Sequence, residues 1–142
     1  MSSEEASESN AAFSTLRTAQ SFALAGAVLL SLFSHRTDYA GHFLAGAGGT
    51  MLLMAALLLI PGKAVGYGAL AAVMAAIAIG WVTESTIFKL AVFDAVDFAN
   101  QSLGAALAGC CVVGCKRSFG SAIVCAVIGI VLLVAGFWFA FA

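Results

Sequence analysis

Residues 118–142 form one apolar run that carries no charged side chain. A run of about 18 apolar residues or more without charge is expected to cross a bilayer as a helix. The whole chain has the same character, because 63% of its residues are hydrophobic and only 9% are charged. Soluble domains have roughly 25% charged residues. The sequence therefore predicts an integral membrane protein.

The glycine content indicates helices rather than a β-barrel. The chain has 15 glycines and one proline, and small residues allow transmembrane helices to pack closely. A barrel would need alternating strands of about ten residues. The predicted fold class is all-α, a polytopic bundle of about five transmembrane helices, or four if the first segment does not span. The predicted helical segments are residues 17–33, 39–60, 64–81, 94–115 and 118–142.

The domain organisation is simple. Residues 1–12 are polar and acidic, which predicts a disordered N-terminal tail. Residues 13–142 are predicted to form a single transmembrane helical domain. Residues 87–93 are too short to cross a bilayer and are predicted to form an interfacial or re-entrant connection.

The distribution of Lys and Arg predicts the orientation. Four basic residues lie on the side of the N-terminus and two on the other side. This favours a cytoplasmic N-terminus, because cytoplasmic loops carry an excess of positive charge. The four are Arg17, Lys63, Lys116 and Arg117, and the two are Arg36 and Lys89.

Acidic residues within the membrane-embedded part need an explanation, since a charge at membrane depth costs several kcal/mol unless it is paired or hydrated. Helices of alternating direction bring the start of the second helix, the end of the third and the start of the fourth to one membrane surface. The titratable residues at these three places are Asp38, His42, Glu84, Asp94 and Asp97. They are predicted to converge on one polar site.

Helical spacing extends this prediction. Asp38 and His42 are four residues apart and can share a helix face. A stripe at steps of three and four follows the fourth helix and is expected to face the bundle. It consists of Asp94, Asp97, Gln101, Gly104, Ala108, Cys111 and Cys115, with Asn100 beside it. The predicted ligand-binding residues are Asp38, His42, Glu84, Asp94, Asp97, Asn100 and Gln101.

Each of these residues also has a purely structural explanation. Asp94 can cap the fourth helix, with Asp97 as the acid of a capping box. Glu84, one turn beyond Trp81, can be a solvated carboxylate at the interface. His42 can be a hydrogen-bonded packing residue. The convergence of all five groups favours a shared site over five separate explanations.

Two short motifs resemble the VanZ-like family of small bacterial membrane proteins. The segment Asp38-Tyr39-Ala40-Gly41-His42-Phe43 resembles the family's Asp-Lys-x-x-His-Phe helix opening, with tyrosine in place of lysine. Asp94-x-x-Asp97 followed by Gln101-x-x-Gly104 resembles its Asp-x-x-Asp-x-x-x-Asn-x-x-Gly helix, with glutamine in place of asparagine. Glu84 stands where the family has a glutamate. The resemblance covers residues 38–109 and implies a multi-pass protein of the bacterial cytoplasmic membrane with a role in the cell envelope.

Three classes of function are compatible with these features. The first is an outward-facing carboxylate/histidine site that binds a polar head group of a lipid or cell-wall precursor. The second is a structural or accessory subunit of a membrane complex, or a homo-oligomer. The third is a membrane-embedded hydrolase or metal-dependent enzyme, which is less favoured because no HExxH or GxSxG motif is present.

Nucleic-acid binding is not predicted, because the chain has no basic patch. No cofactor or metal site is predicted either. The four cysteines lie in apolar runs without the paired spacing of a zinc or redox motif.

Overall fold

The structure, a computed structural model, describes residues 3–62, 65–86 and 93–141. Within these ranges the chain forms five α-helices. They are α1 (Ser3–Leu32), α2 (Thr37–Leu58), α3 (Val65–Thr86), α4 (Ala95–Val112) and α5 (Phe119–Phe141). The predicted all-α helical bundle is confirmed. Most of the predicted connection at residues 87–93, including Lys89, lies outside the described residues, as does Lys63.

Three of the described helices are long and apolar enough to cross a membrane: α2, α3 and α5, with 22, 22 and 23 residues. In α1 the apolar part is shorter, Ala19–Leu32. In α4 the polar residues Asp97, Asn100, Gln101 and Ser102 reduce the hydropathy of the helix. The fold is therefore that of a polytopic helical membrane protein.

The first helix is longer than the sequence analysis predicts. It begins at Ser3, so residues 3–12, which belong to the predicted disordered tail, are helical in the structure. Glu and Ala are frequent in this segment, and both have a high intrinsic helix propensity. This local propensity is a sufficient reason for the helix to extend beyond its apolar part.

Helix α2 is the central element, because it contacts each of the other four helices. Its most apolar window is 61% buried, compared with 22% for the corresponding windows of α3 and α5. Many large apolar side chains of α3 and α5 are exposed, for example Tyr67, Trp81, Val131 and Trp138, as expected of helices that contact lipid. Among the described residues, α3 and α5 make no contact with each other. A gap between them therefore lies over one face of α2.

The contact between α2 and α5 is close because glycine forms it from both sides. A Cβ atom at Gly48 would lie 2.6 Å from the backbone nitrogen of Leu133, and one at Gly136 would lie 2.6 Å from the nitrogen of Ala45. No side chain fits at that separation. The helices are antiparallel here, since the start of α2 faces the end of α5. We refer to this contact as the α2–α5 seam, formed by Gly41, Ala45, Gly48 and Leu52 with Gly129, Leu133, Gly136 and Ala140.

A second close contact joins α2 to α4. The backbone of Gly46 meets the carbonyl oxygen of Gln101, and Gly104 meets the carbonyl oxygen of Phe43. The side chain of Gln101 also reaches α3, where it lies against the backbone of Gly80. This crossing fixes the first turn of α4 beside α2 and α3, at the end of the bundle where the predicted polar residues lie.

Two adjacent glycines test the α2–α5 seam. The Gly48→Ala variant is expected to lose about 1–3 kcal/mol of stability, because the added methyl group would overlap the backbone of α5. Gly49→Ala should be neutral or stabilise by less than about 1 kcal/mol, since alanine has the better helix propensity and a Cβ atom at Gly49 meets nothing within 4 Å. Thermal unfolding in mild detergent measures both variants. Equal midpoints for the two variants would contradict this description of the seam.

Candidate functional site: an amphipathic cavity

A cavity of about 820 Å³ lies between helices α2, α3, α4 and α5. Its size is within the range of about 300–1,000 Å³ that is usual for small-molecule sites. One end is lined by charged and polar side chains and the remainder by glycine, alanine and large apolar side chains. The polar lining residues are Arg36, His42, Thr83, Glu84, Asp94, Asp97 and Gln101.

His42 lies between two carboxylates at the polar end. Its Nδ1 atom is 3.7 Å from Oε1 of Glu84 on α3, and its Nε2 atom is 3.5 Å from Oδ2 of Asp97 on α4. One imidazole from the central helix thus faces an acid on each neighbouring helix. A neutral imidazole can donate to only one of them, whereas a protonated imidazole can donate to both.

Glu84 is buried, with 8% of its surface exposed. This differs from the structural explanation in which Glu84 is a solvated carboxylate at the interface. Asp97 is also largely enclosed, and its Oδ1 atom is buried with no hydrogen-bond partner in the described part of the chain. Buried carboxylates are costly unless they are paired and hydrogen-bonded. The polar end therefore holds two acids whose hydrogen-bonding capacity is incompletely used.

Asp94 caps helix α4. Its Oδ1 atom accepts hydrogen bonds from the backbone nitrogens of Val96 at 2.8 Å and Asp97 at 3.3 Å. The N-cap explanation for Asp94 is thus correct. Asp97 does not complete a capping box, because one of its oxygens faces His42 and the other lacks a partner. The cap orients the first turn of α4 so that Asp97 points toward α2.

Arg36 closes the polar end from the N-terminal side of α2. Its Nε and Nη2 atoms donate to the carboxylate of Asp38 at 2.8–3.1 Å, and Nη2 lies 3.7 Å from Oδ2 of Asp94. The guanidinium also stacks 4.2 Å from the ring centre of Tyr39. The hydrogen bond with Asp38 raises the pKa of Arg36 above its already high value, so its charge is permanent. Asp38 is the principal partner of this charge.

The apolar part of the cavity extends along one face of α2, past Gly49 to Leu52 and Leu53. Its other wall is α5, which contributes Leu133 and Phe137 together with other residues near its C-terminal end. The sequence predicts α5 as a membrane span, and none of the predicted ligand-binding residues lies on it. The sequence nevertheless contains a signal for the contact between α2 and α5, because small residues recur at the same spacing on both helices.

The structure brings five of the seven predicted ligand-binding residues to the cavity: His42, Glu84, Asp94, Asp97 and Gln101. Asp38 lies at the same end and pairs with Arg36, which lines the cavity, but Asp38 itself does not line it. Asn100 is half-buried on α4 and does not line the cavity. Asp38 and His42 share a helix, yet the ionisable neighbours of His42 within 4.0 Å are on α3 and α4. Within the described ranges no group of three or more His, Cys, Asp or Glu side chains is arranged to hold a metal ion.

Comparison of the chain with known protein families, with curated proteins and with solved structures finds no match. The VanZ-like resemblance therefore rests on the two sequence motifs and Glu84 alone.

Two variants separate the contribution of Asp94 to stability as a helix cap from the contribution of its charge. Asp94→Ala is expected to lose about 1 kcal/mol, the usual cost of removing an N-cap side chain. Asp94→Asn should retain most of this stability, because asparagine is an equally good cap and the partly exposed contact with Arg36 contributes little. Thermal unfolding in detergent compares the two variants. A loss in Asp94→Asn as large as in Asp94→Ala would assign the stability to the charge and not to the cap.

Proposed function

We propose that this chain is a cell-envelope membrane protein, similar to the VanZ-like family, whose carboxylate/histidine site binds the polar head group of a lipid or envelope precursor. On the topology predicted from the basic residues, this site faces the outer side of a bacterial cytoplasmic membrane. The observation that supports the proposal is the amphipathic cavity. Its polar end at His42, Glu84 and Asp97 continues into an apolar channel along α2.

The chemistry of the lining favours a ligand that has both a head and a chain. A soluble polar molecule would leave the apolar walls at Leu52, Leu133 and Phe137 in contact with water. A purely apolar molecule would leave the buried acids without partners. An amphiphile satisfies both ends at once, because its chain covers the apolar walls and its head group supplies hydrogen bonds.

The position of the cavity favours a ligand that arrives from the membrane. Its two side walls, α3 and α5, are the helices with the most lipid-like outer surfaces, and among the described residues they do not contact each other. The gap between them connects the apolar part of the cavity with the surrounding bilayer. A lipid chain can therefore enter sideways without crossing a polar layer.

A tryptophan at Gly49 tests whether an acyl chain occupies the cavity. Gly49 lines the cavity and has open space beside its Cα atom, so Gly49→Trp should fill the channel without disturbing the α2–α5 seam. The protein is placed in vesicles that contain diazirine-labelled phosphatidylethanolamine or phosphatidylglycerol. The readout is the amount of label on Leu133 divided by the amount on Val131. Leu133 lines the cavity, and Val131 is 61% exposed on the same helix. The variant is expected to lower this ratio several-fold.

The matched control is Gly66→Trp, at an exposed glycine of α3 that also has nothing within 4 Å of its Cβ position and does not line the cavity. This variant should keep the wild-type ratio. Size-exclusion profiles confirm that both variants remain folded. If Gly49→Trp leaves the ratio unchanged with both lipids, no acyl chain occupies the cavity and the proposed function fails.

A further inference from the structure

The charges that line the cavity do not cancel. Its polar end contains three carboxylates, Glu84, Asp94 and Asp97, and one permanent cation, Arg36. Arg36 is already neutralised by Asp38, to which it donates three hydrogen bonds. With Arg36 paired to Asp38, the three ionised carboxylates would face at most one further cation, a protonated His42. Among the described residues, the polar end therefore carries an excess of negative charge.

We propose that the ligand of this cavity is an amphiphile with a primary ammonium head group, held by Glu84 and Asp97 while its apolar chain lies along α2. This inference rests on the proposed function and names the chemical class of its ligand. A cation in the polar end of the cavity, beside His42 and the two acids, would offset the cost of burying their charges. Both acids are enclosed, because only 9% of the side-chain surface of Glu84 and 13% of that of Asp97 are exposed.

The unused hydrogen-bond acceptors of Glu84 and Asp97 favour a cation that carries N–H donors. An ammonium group has three N–H donors and no acceptor. Asp97 presents a buried oxygen without a partner, and the acidic oxygen of Glu84 nearest to His42 is 3.7 Å away, beyond hydrogen-bonding distance. A primary ammonium supplies N–H donors for carboxylates whose hydrogen-bonding capacity is incompletely used. A quaternary ammonium has no N–H group and would leave the Asp97 oxygen unpaired.

The length of the apolar part of the cavity indicates the length of the ligand's apolar chain. His42 and Leu53 mark the two ends of the α2 wall, and eleven residues of helix at about 1.5 Å each cover about 16 Å. An extended dodecyl chain has a similar length. The α2 wall has no bulky side chain at Ala45, Gly46 or Gly49, and the Cβ position of Gly49 meets nothing within 4 Å.

A head-group series tests the inference. Dodecylamine, dodecyltrimethylammonium and dodecanol are each titrated into the vesicles that contain diazirine-labelled lipid, and the labelling ratio of Leu133 to Val131 is recorded. Ethylamine, which has the head group without the chain, is titrated in parallel. At equal membrane-bound concentration, determined by vesicle sedimentation, dodecylamine is expected to lower the ratio at about a tenfold lower level than the other two dodecyl compounds, equivalent to about 1.4 kcal/mol. Ethylamine should have no effect in the same range.

Isosteric variants assign the selectivity to the two acids. Glu84→Gln and Asp97→Asn remove one charge each and keep the shape of the side chain. Each variant should reduce the preference for dodecylamine over dodecanol several-fold and leave competition by dodecanol unchanged. Because this preference is compared between the wild-type protein and each variant in the same vesicles, the difference in membrane partitioning of the two competitors cancels.

The possible results separate the two proposals. Equal competition by dodecylamine and dodecanol in the wild-type protein would overturn the ammonium inference, while a response to Gly49→Trp would still support an amphiphile site. Equal competition by dodecyltrimethylammonium would overturn the role of the N–H donors, and competition by ethylamine would overturn the role of the chain. Selectivity that persists in both isosteric variants would overturn the assignment to Glu84 and Asp97. The wild-type series needs no variant, so a variant that fails to fold does not prevent the test.

Discussion

The close approach of α2 and α5 is the contact on which the rest of the bundle depends. In a bilayer the helices gain no hydrophobic free energy by leaving lipid, so their association relies on packing and on backbone proximity. Glycine on both sides of the α2–α5 seam allows such proximity, since a Cβ atom at Gly48 or Gly136 would overlap the opposite backbone. With α5 held on one side and α4 crossing at Gly46 and Gly104, α2 becomes the central helix. The cavity is the space that remains where α3 and α5 do not meet over α2.

This arrangement also explains why the acidic groups occur at one end. The structure joins the start of α2, the end of α3 and the start of α4, and each contributes a titratable group. Asp94 uses its carboxylate for the helix cap and Asp38 uses its own for Arg36. These two acids are explained by local structure. Glu84 and Asp97 are not, because they are buried on either side of one imidazole. The difference between the two pairs identifies the part of the acidic cluster that is available to a ligand.

Much of this fold could be predicted from the sequence, and the reason is the strength of the apolar signal. Lengths of apolar runs predict five helices in the order observed, and alternation of direction predicts the convergence of His42, Glu84 and Asp97. The neighbours of each helix could not be predicted, because hydropathy does not specify which faces meet. The role of α5 therefore escaped prediction, although Gly129 and Gly136 have the same seven-residue separation as Gly41 and Gly48 on α2. Asp38 and Asn100 are predicted site residues, but their side chains lie outside the cavity lining, because helix direction and spacing do not specify which partner a side chain takes.

Gly49 connects the packing of the bundle with the cavity. Glycine inside a helix costs roughly 0.5–1 kcal/mol relative to alanine, and Gly41, Gly48, Gly129 and Gly136 offset this cost through the α2–α5 seam. Gly49 lies in the interior of α2 and has no such contact, because its Cβ position meets nothing within 4 Å. Packing between helices therefore does not explain a glycine at this position. An open channel does explain it, since any side chain here would project into the cavity between the polar end and Leu53. The shape of the cavity is thus encoded by a residue that contributes nothing to the stability of the empty bundle.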